Sequence, residues 1–285
     1  MPARRALPIA DEALRTHLDA LARSTDARAR LDADPLGLVR ALAPADREVG
    51  GLVAATLAVG NVVAIRRSIG RVLDALDGEP ARAADTLGQA AIERRLRGFV
   101  HRVYRGEHVA RMLARAGAMR REHGTLGGAL AARMETPTTG GLVSALAGWA
   151  AALRGPRPPR GLAHLVPDPA KGSASKRLLL YLRWMVRPDD GVDLGLWSIS
   201  PSLLVIPLDT HVHRIARNLG LTRRTDASLR TALEITDALR RLDPQDPVRY
   251  DFALCHLGVS RECPSRRVEA KCERCVVRGV CTKWR

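Results

Sequence analysis

At 285 residues and 46% hydrophobic content, the chain has enough apolar material for one large domain or two helical lobes sharing a core, which excludes a disordered tail. Its 46 Lys and Arg against 30 Asp and Glu leave a formal net charge of +16, a balance that favours a polyanionic partner, nucleic acid before a membrane surface. No run reaches the roughly 18 to 20 apolar residues of a membrane span, and the start, MPARRALPIADEALRTH, lacks the apolar stretch of a signal peptide, so a cytoplasmic location and no membrane partner are expected.

Apolar residues recur at helical spacing, β alternation is scarce and no repeat is present, so the expected fold class is all-α. Val49 to Leu76 is nearly continuous and apolar through Leu52, Val53, Leu57, Val59, Val62 and Val63, then turns basic at Arg66, Arg67 and Arg71. That pattern predicts a buried helix, a break near Gly60-Asn61, and a second helix leaving the core. Helices are predicted over His108 to Arg121, Leu126 to Met134 and Leu142 to Leu153, after which RGPRPPRGLAHLVPDPAKG predicts a long loop. From Ser175 to Val186 the chain resumes as a helix with Lys176, Arg177 and Arg183 on its polar side, and DDGVDLGLWSISP follows as a loop.

After Pro207-Leu208, Asp209 stands where a helix N-cap belongs, and Val212, Ile215, Ala216 and Leu219 form one apolar stripe ending at Gly220. Read from the residues alone, Asp209 is an ordinary cap. Asp226 to Leu242 and about Val248 to Leu257 are the last predicted long helices. Aromatic residues are only 3% of the chain, which disfavours single-strand binding by base stacking. Tyr104, Tyr181, Trp184 and Trp197 are candidates for a base pocket, with a buried structural role the first expectation for each.

Four of the five cysteines close the chain as Cys263-x8-Cys272-x2-Cys275-x5-Cys281, in a segment too polar to fold on its own core. Four thiolates can hold a tetrahedral zinc or a four-iron, four-sulfur cluster. The single Cys-x-x-Cys knuckle leans toward the cluster, and unligated thiols are the third possibility. Cys255, on the apolar stretch FALCHL, reads as a buried structural cysteine. Only Lys171, Lys176, Lys271 and Lys283 among the cations are lysine, which slightly favours a role for them that arginine's fixed charge cannot fill.

The tail CPSRRVEAKCERCVVRGVC resembles the cluster loop of the iron–sulfur, helix-hairpin-helix DNA glycosylases of the endonuclease III type. PLDTHVHRIARNLG is similar to their Val-Asp-Thr-His-type catalytic segment. KGSASKRLLLYLRWMVRP, DLGLW and YDFALCHLG look like a poorly characterised bacterial branch of that superfamily, and LVAATLAVGNVVAIRRSIGRVL fits its early helix and base-flipping loop. The resemblance implies a two-lobed fold: a middle helical lobe over residues 51–204 with a degenerate hairpin, and a second lobe from 1–50 and 205–285 carrying a cluster loop at 263–281. The cleft between the lobes would hold Asp209. The Leu-Pro-Gly-x-Gly hairpin of the superfamily is reduced here to AKGSASK, with Gly172 kept and Ala174 at the second glycine position.

The resemblance further implies a base-excision glycosylase acting on double-stranded DNA as a monomer, with Asp209 catalytic and Cys263, Cys272, Cys275 and Cys281 holding a 4Fe–4S cluster, zinc being the alternative. Lys176 is matched to the superfamily's Schiff-base lysine, which would add abasic-site lyase activity, with Arg177 helping to lower its pKa. The plainer reading makes Lys171, Lys176 and Arg177 phosphate contacts at a helix start. Asn61, Gly172, His211 and Arg214 are the other expected DNA contacts. His211 and His213, at i and i+2 on a helix, diverge too far for a shared metal. A non-catalytic DNA- or structured-RNA-binding protein on the same fold and a zinc-stabilised regulator are the competing functions.

Overall fold

Capping side chains set where seven of the helices begin. In the computed structural model, which describes residues 10–284, Asp26, Asp34, Asn61, Thr125, Thr138, Asp209 and Ser228 each accept a hydrogen bond from a backbone N–H of the turn that follows. The first nine residues of the expected second lobe and residue 285 lie outside the described residues. The helices run α1 (Asp11–Ser24), α2 (Ala27–Leu31), α3 (Pro35–Arg40), α4 (Arg47–Leu57), α5 (Val62–Ala75), α6 (Pro80–Thr86) and α7 (Gln89–Arg95). A two-residue antiparallel hairpin, β1 (Val100–His101) with β2 (Tyr104–Arg105), precedes α8 (Gly106–His123), α9 (Leu126–Ala131), α10 (Thr139–Arg154), α11 (Arg160–Leu165) and α12 (Lys176–Val186). The chain closes with α13 (Thr210–Asn218), α14 (Leu229–Arg240), α15 (Asp251–Val259) and α16 (Glu269–Cys272).

The fold is all-α apart from that hairpin, and no described helix is long and apolar enough to cross a membrane. The break after α4 falls at Gly60, whose φ of 112° is a backbone state that L side chains avoid. The Pro/Gly-rich span after α10 is not wholly a loop. It carries α11, because Leu162 and Leu165 find fully buried positions that pay for the short helix.

Helix α4 is buried along almost its whole length and packs on α12, close enough that a Cβ on Gly51 would stand 2.6 Å from Met185 Cε. Its first turn carries Glu48, a buried carboxylate that accepts from Arg120, from Gly127 N at 3.1 Å and from Trp197 Nε1 at 2.7 Å. Tyr181 donates its hydroxyl to the Glu48 carbonyl at 3.0 Å. Tyr104, Tyr181, Trp184 and Trp197 are all buried, so none of them lines an open base pocket.

The polar side expected for α12 is only partly polar in space. Arg183 is buried between Asp193 and Asp251, and Arg187 binds Asp190, Asp193 and Asp246. This ion network, with Leu194 N on Trp184 O and Trp197 N on Met185 O, each at 2.8 Å, folds the DDGVDLGLW loop back on α12. Buried charges persist only when paired in this way.

Candidate active site

The segment 171–175 delivers the start of α12. Gly172 is left-handed at φ 76°, its carbonyl accepts from Leu229 N at 3.1 Å, and Ser173 pairs with Ser228, so this short stretch is pinned to the entry of α14. Ser175, also left-handed at φ 45°, then turns the chain so that Lys176 is the first residue of α12. Lys171 and Gly172 are exposed beside it.

Asp209 caps α13 as its position foretells: Oδ1 accepts from His211 N and Val212 N, each at 2.8 Å. Its other oxygen, Oδ2, lies 3.2 Å from Lys176 Nζ, with the lysine side chain 32% exposed and the aspartate 15%. Two groups distant in sequence thus form one partly sheltered pair. Burial opposes the Asp209 charge, but the Lys176 ammonium and the Val212 amide outweigh it and hold the carboxyl below the usual range. Burial likewise opposes the Lys176 charge, and Asp209 with its neighbours outweighs it, so the lysine is held above its ordinary value.

This corrects two expectations about Arg177. Its guanidinium is buried and donates to Thr56 O at 3.2 Å, to the Tyr104 hydroxyl and to His164 O, so it does not reach toward phosphate. Nor does it depress Lys176, whose pKa moves up rather than down. Arg177 instead ties the end of α4, the β hairpin and α11 to the helix that starts with Lys176.

Helix α15 adds two residues that sequence reasoning did not single out for the site. Asp251 and Cys255, one helical turn apart, both interact electrostatically with Lys176 and Asp209. Cys255, expected as a core residue, is half-buried at this pair, and burial pushes its thiol well up. The i, i+4 spacing of Asp251 and Cys255 was the available signal, but nothing local tells which helix they face.

The remaining expected DNA contacts are spread over two regions. Asn61 is exposed and spends its side-chain oxygen on Val63 N at 2.9 Å, as the cap of α5. Around it stand Val63, 72% exposed, and the hairpin residues Val100 and Val103, 55% and 62% exposed. Arg102, at the hairpin turn, comes within 3.1 Å of where a Cβ on Gly60 would be. This apolar and cationic edge was missed because the hairpin carries no strand alternation. On α13, His211 packs against Gly258 with Nδ1 buried and unpartnered among the described residues. Arg214 turns toward the tail and donates to Cys263 O at 2.7 Å. His213 bonds Arg224 O at 3.0 Å. Neither Arg214 nor His213 faces outward from the helix as a free contact.

Cys263, Cys272, Cys275 and Cys281 line one cavity, floored by Ile215, Leu219 and Val277. No group of three or more His, Cys, Asp or Glu among the described residues stands in an arrangement that holds a bare metal ion. The thiols border a shared space instead. Thr282 N on Asn218 O at 2.7 Å and Cys263 N on Leu257 O at 3.0 Å anchor the segment to α13 and α15. Arg266, Arg267, Lys271 and Arg274 are exposed on its outer side.

A family model described as "Protein of unknown function (DUF2400)" matches residues 34–260, ending before the first of the four tail cysteines. Among solved structures, the chain is similar to endonuclease III in a trapped endonuclease III–DNA covalent intermediate with an estranged adenine. The two are 15% identical, with 97% of each chain covered and a TM-score of 0.49. No curated protein matches.

Proposed function

The chain belongs to the DUF2400 family, proteins of unknown function, and from its site we propose that it is a DNA glycosylase that hydrolyses the N-glycosidic bond of a damaged or mispaired base. The observation that carries this reading is the Lys176–Asp209 pair, a carboxylate fixed by two backbone amides at a helix start with its second oxygen 3.2 Å from an ammonium. The motif resemblance and the net charge of +16 point to the same substrate.

Breaking a C1′–N bond builds positive charge on the sugar, and a carboxylate that stays ionised stabilises it. Asp209 meets that need because Lys176 and the helix amides hold its pKa down. Water supplies the nucleophile: its oxygen bonds C1′, the C1′–N electron pair leaves with the base, one proton stays on the new hydroxyl and the other ends on the base. Asp209 orients that water or accepts its proton in passing. Lys176 in its ammonium form neutralises phosphate or the leaving base. Attack by Lys176 itself, and with it strand cleavage, requires the amine to lose its proton first.

On the two-lobed division expected from the resemblance, this pair would lie at the cleft between the lobes. Val63, Val103 and Arg102 with Asn61 form the edge that would meet the base stack, an apolar rim with a cation. The four tail thiols suit a metal centre, since all line one apolar-floored cavity. Cys263, Cys272, Cys275 and Cys281 would hold a 4Fe–4S cluster or zinc. That group would brace the loop that carries Arg266, Arg267, Lys271 and Arg274 against phosphates.

The test incubates wild type and Asp209→Asn with duplexes bearing oxidised, deaminated, alkylated and mismatched bases, resolved with and without alkali. Excision lost in the variant supports the reading and names the substrate. Duplex binding with no excision of any base would replace it with a non-catalytic binder on this fold.

A further inference from the structure

Two of the cations first expected to meet DNA are spent inside the protein, Arg177 on Thr56, Tyr104 and His164 and Arg214 on Cys263 O. Elsewhere three guanidiniums are left free. Arg94 in α7, Arg97 just beyond it and Arg105 at the end of β2 line one surface recess of about 500 Å³, with Leu96 and Phe99 buried at its floor. All three are exposed, and none donates to a carboxylate or carbonyl among the described residues, although Glu93 and Glu107 line the same recess. Their neighbours differ: Arg95 is paired with Asp77, and Arg71 donates to Gly98 O at 3.3 Å. No side chain can stand on Gly106, where a Cβ would meet Leu96 O at 2.3 Å, so the recess stays open.

The hairpin fixes where this recess sits. Val100 pairs with Arg105 and His101 with Tyr104, and because side chains alternate across a strand, one pair faces out and the other in. The inward pair is tied down: His101 bonds Ser68 at 2.9 Å and Val59 O at 3.2 Å, while Tyr104 bonds His164 at 2.8 Å and Arg177, the residue after Lys176. The outward pair sets an exposed valine beside a free arginine, and Val103 at the turn continues the apolar rim. Apolar surface next to unpaired guanidiniums matches a nucleic-acid backbone, which alternates sugar with phosphate and whose phosphate oxygens take guanidinium N–H groups in pairs.

We propose that the recess is a further DNA contact, a seat for a backbone phosphate of the bound duplex, with Arg94, Arg97 and Arg105 as its donors and Val100 and Val103 against the adjoining sugar or base. The seat rests on the reading above for the choice of duplex DNA as partner. Glu93 and Glu107 offset two of the three charges, so the recess suits one singly charged phosphodiester better than a multiply charged free phosphate. Through Tyr104 and Arg177 the hairpin also ties the seat to the helix that starts with Lys176.

The test measures binding of the full-length protein to an undamaged duplex by fluorescence anisotropy across a salt series, for wild type and for Arg94→Ala/Arg97→Ala/Arg105→Ala. The three side chains are exposed and unpaired, so the variant should fold as wild type does. Losing one phosphate contact makes the fall of log K with log salt shallower by about 0.9 and weakens binding about eightfold at about 0.1 M salt. A matched variant, Arg15→Ala/Arg23→Ala/Arg28→Ala on α1 and α2, removes the same charge outside the recess and is expected to change the slope less. A recess variant whose slope and affinity change no more than the matched variant's overturns the seat, as does wild type that binds no duplex. Inorganic phosphate that raises the melting temperature of wild type and not of the recess variant, with duplex affinity equal in both, would give the recess to a free anion instead. Should the triple variant not fold, Arg97→Glu alone decides by the same slope. The assay needs no excision, so duplex binding through the recess without excision of any base counts against the glycosylase reading and leaves the seat standing.

Discussion

Replacing Asp209 by Asn and by Ala separates the two roles that one side chain combines. Asn keeps an oxygen for His211 N and Val212 N, whereas Ala leaves both amides without their acceptor. Both variants remove the charge beside Lys176, and that shared cost is small, on the order of 1 kcal/mol, because the lysine is 32% exposed and water can take over part of its solvation. The difference between the variants is therefore the cap, about 1 kcal/mol. For a chain of this size that is about 2 °C in melting temperature, with Ala the lower. Single-turnover excision should fall by a similar factor in both, about 100-fold to 10,000-fold, since each loses the charge that stabilises the sugar cation. Thermal melts and single-turnover kinetics on one duplex measure the two effects on the same preparations. An Asn variant that keeps most of the excision rate would refute the electrostatic role. Equal melting temperatures for Asn and Ala would refute the cap.

The pair also sets a pH signature. Asp209 is held below the ordinary carboxylate value of 3.8, so its stabilisation is complete above that pH and is lost as pH falls through the depressed value. Lys176 is held above 10.5, so its share is complete below that pH and is lost as pH rises through the raised value. Denaturant titrations of wild type against Lys176→Met should therefore differ by a constant amount between those limits and converge outside them; convergence near neutrality would refute the pairing. Arg177→Leu strands the Thr56 and His164 carbonyls and the Tyr104 hydroxyl, and is expected to cost about 3 kcal/mol in urea unfolding; a loss under 1 kcal/mol would mean that these contacts carry little. Cys281→Ser should lower the iron bound per chain and the melting temperature together. Wild type carrying one zinc and no iron would replace the cluster with zinc.

Much of this protein is written locally. The stripe Val212, Ile215, Ala216 and Leu219 with an aspartate before it dictates α13 and its cap, since both depend on residues within a turn or two. The break at Gly60-Asn61 is legible for the same reason: a glycine permits the positive φ and an asparagine caps the helix that follows. Helix α11 was not, because its two leucines are stabilised by burial against distant segments and the intervening prolines and glycines argue for a loop. Arg177 and Arg183 look like the solvent side of α12, and only their partners, Thr56, Tyr104 and His164 for one and Asp193 and Asp251 for the other, explain why two guanidiniums are buried. The sequence by itself determined helices α4, α5, α8 to α10 and α12 to α15, the Asp209 cap and the four tail thiols. Tertiary structure alone decided that Lys176 meets Asp209, that Asp251 pairs with Arg183 and that Arg177 turns inward, because charge pairing in a sheltered site depends on distance through space and on desolvation, and neither has a period along the chain.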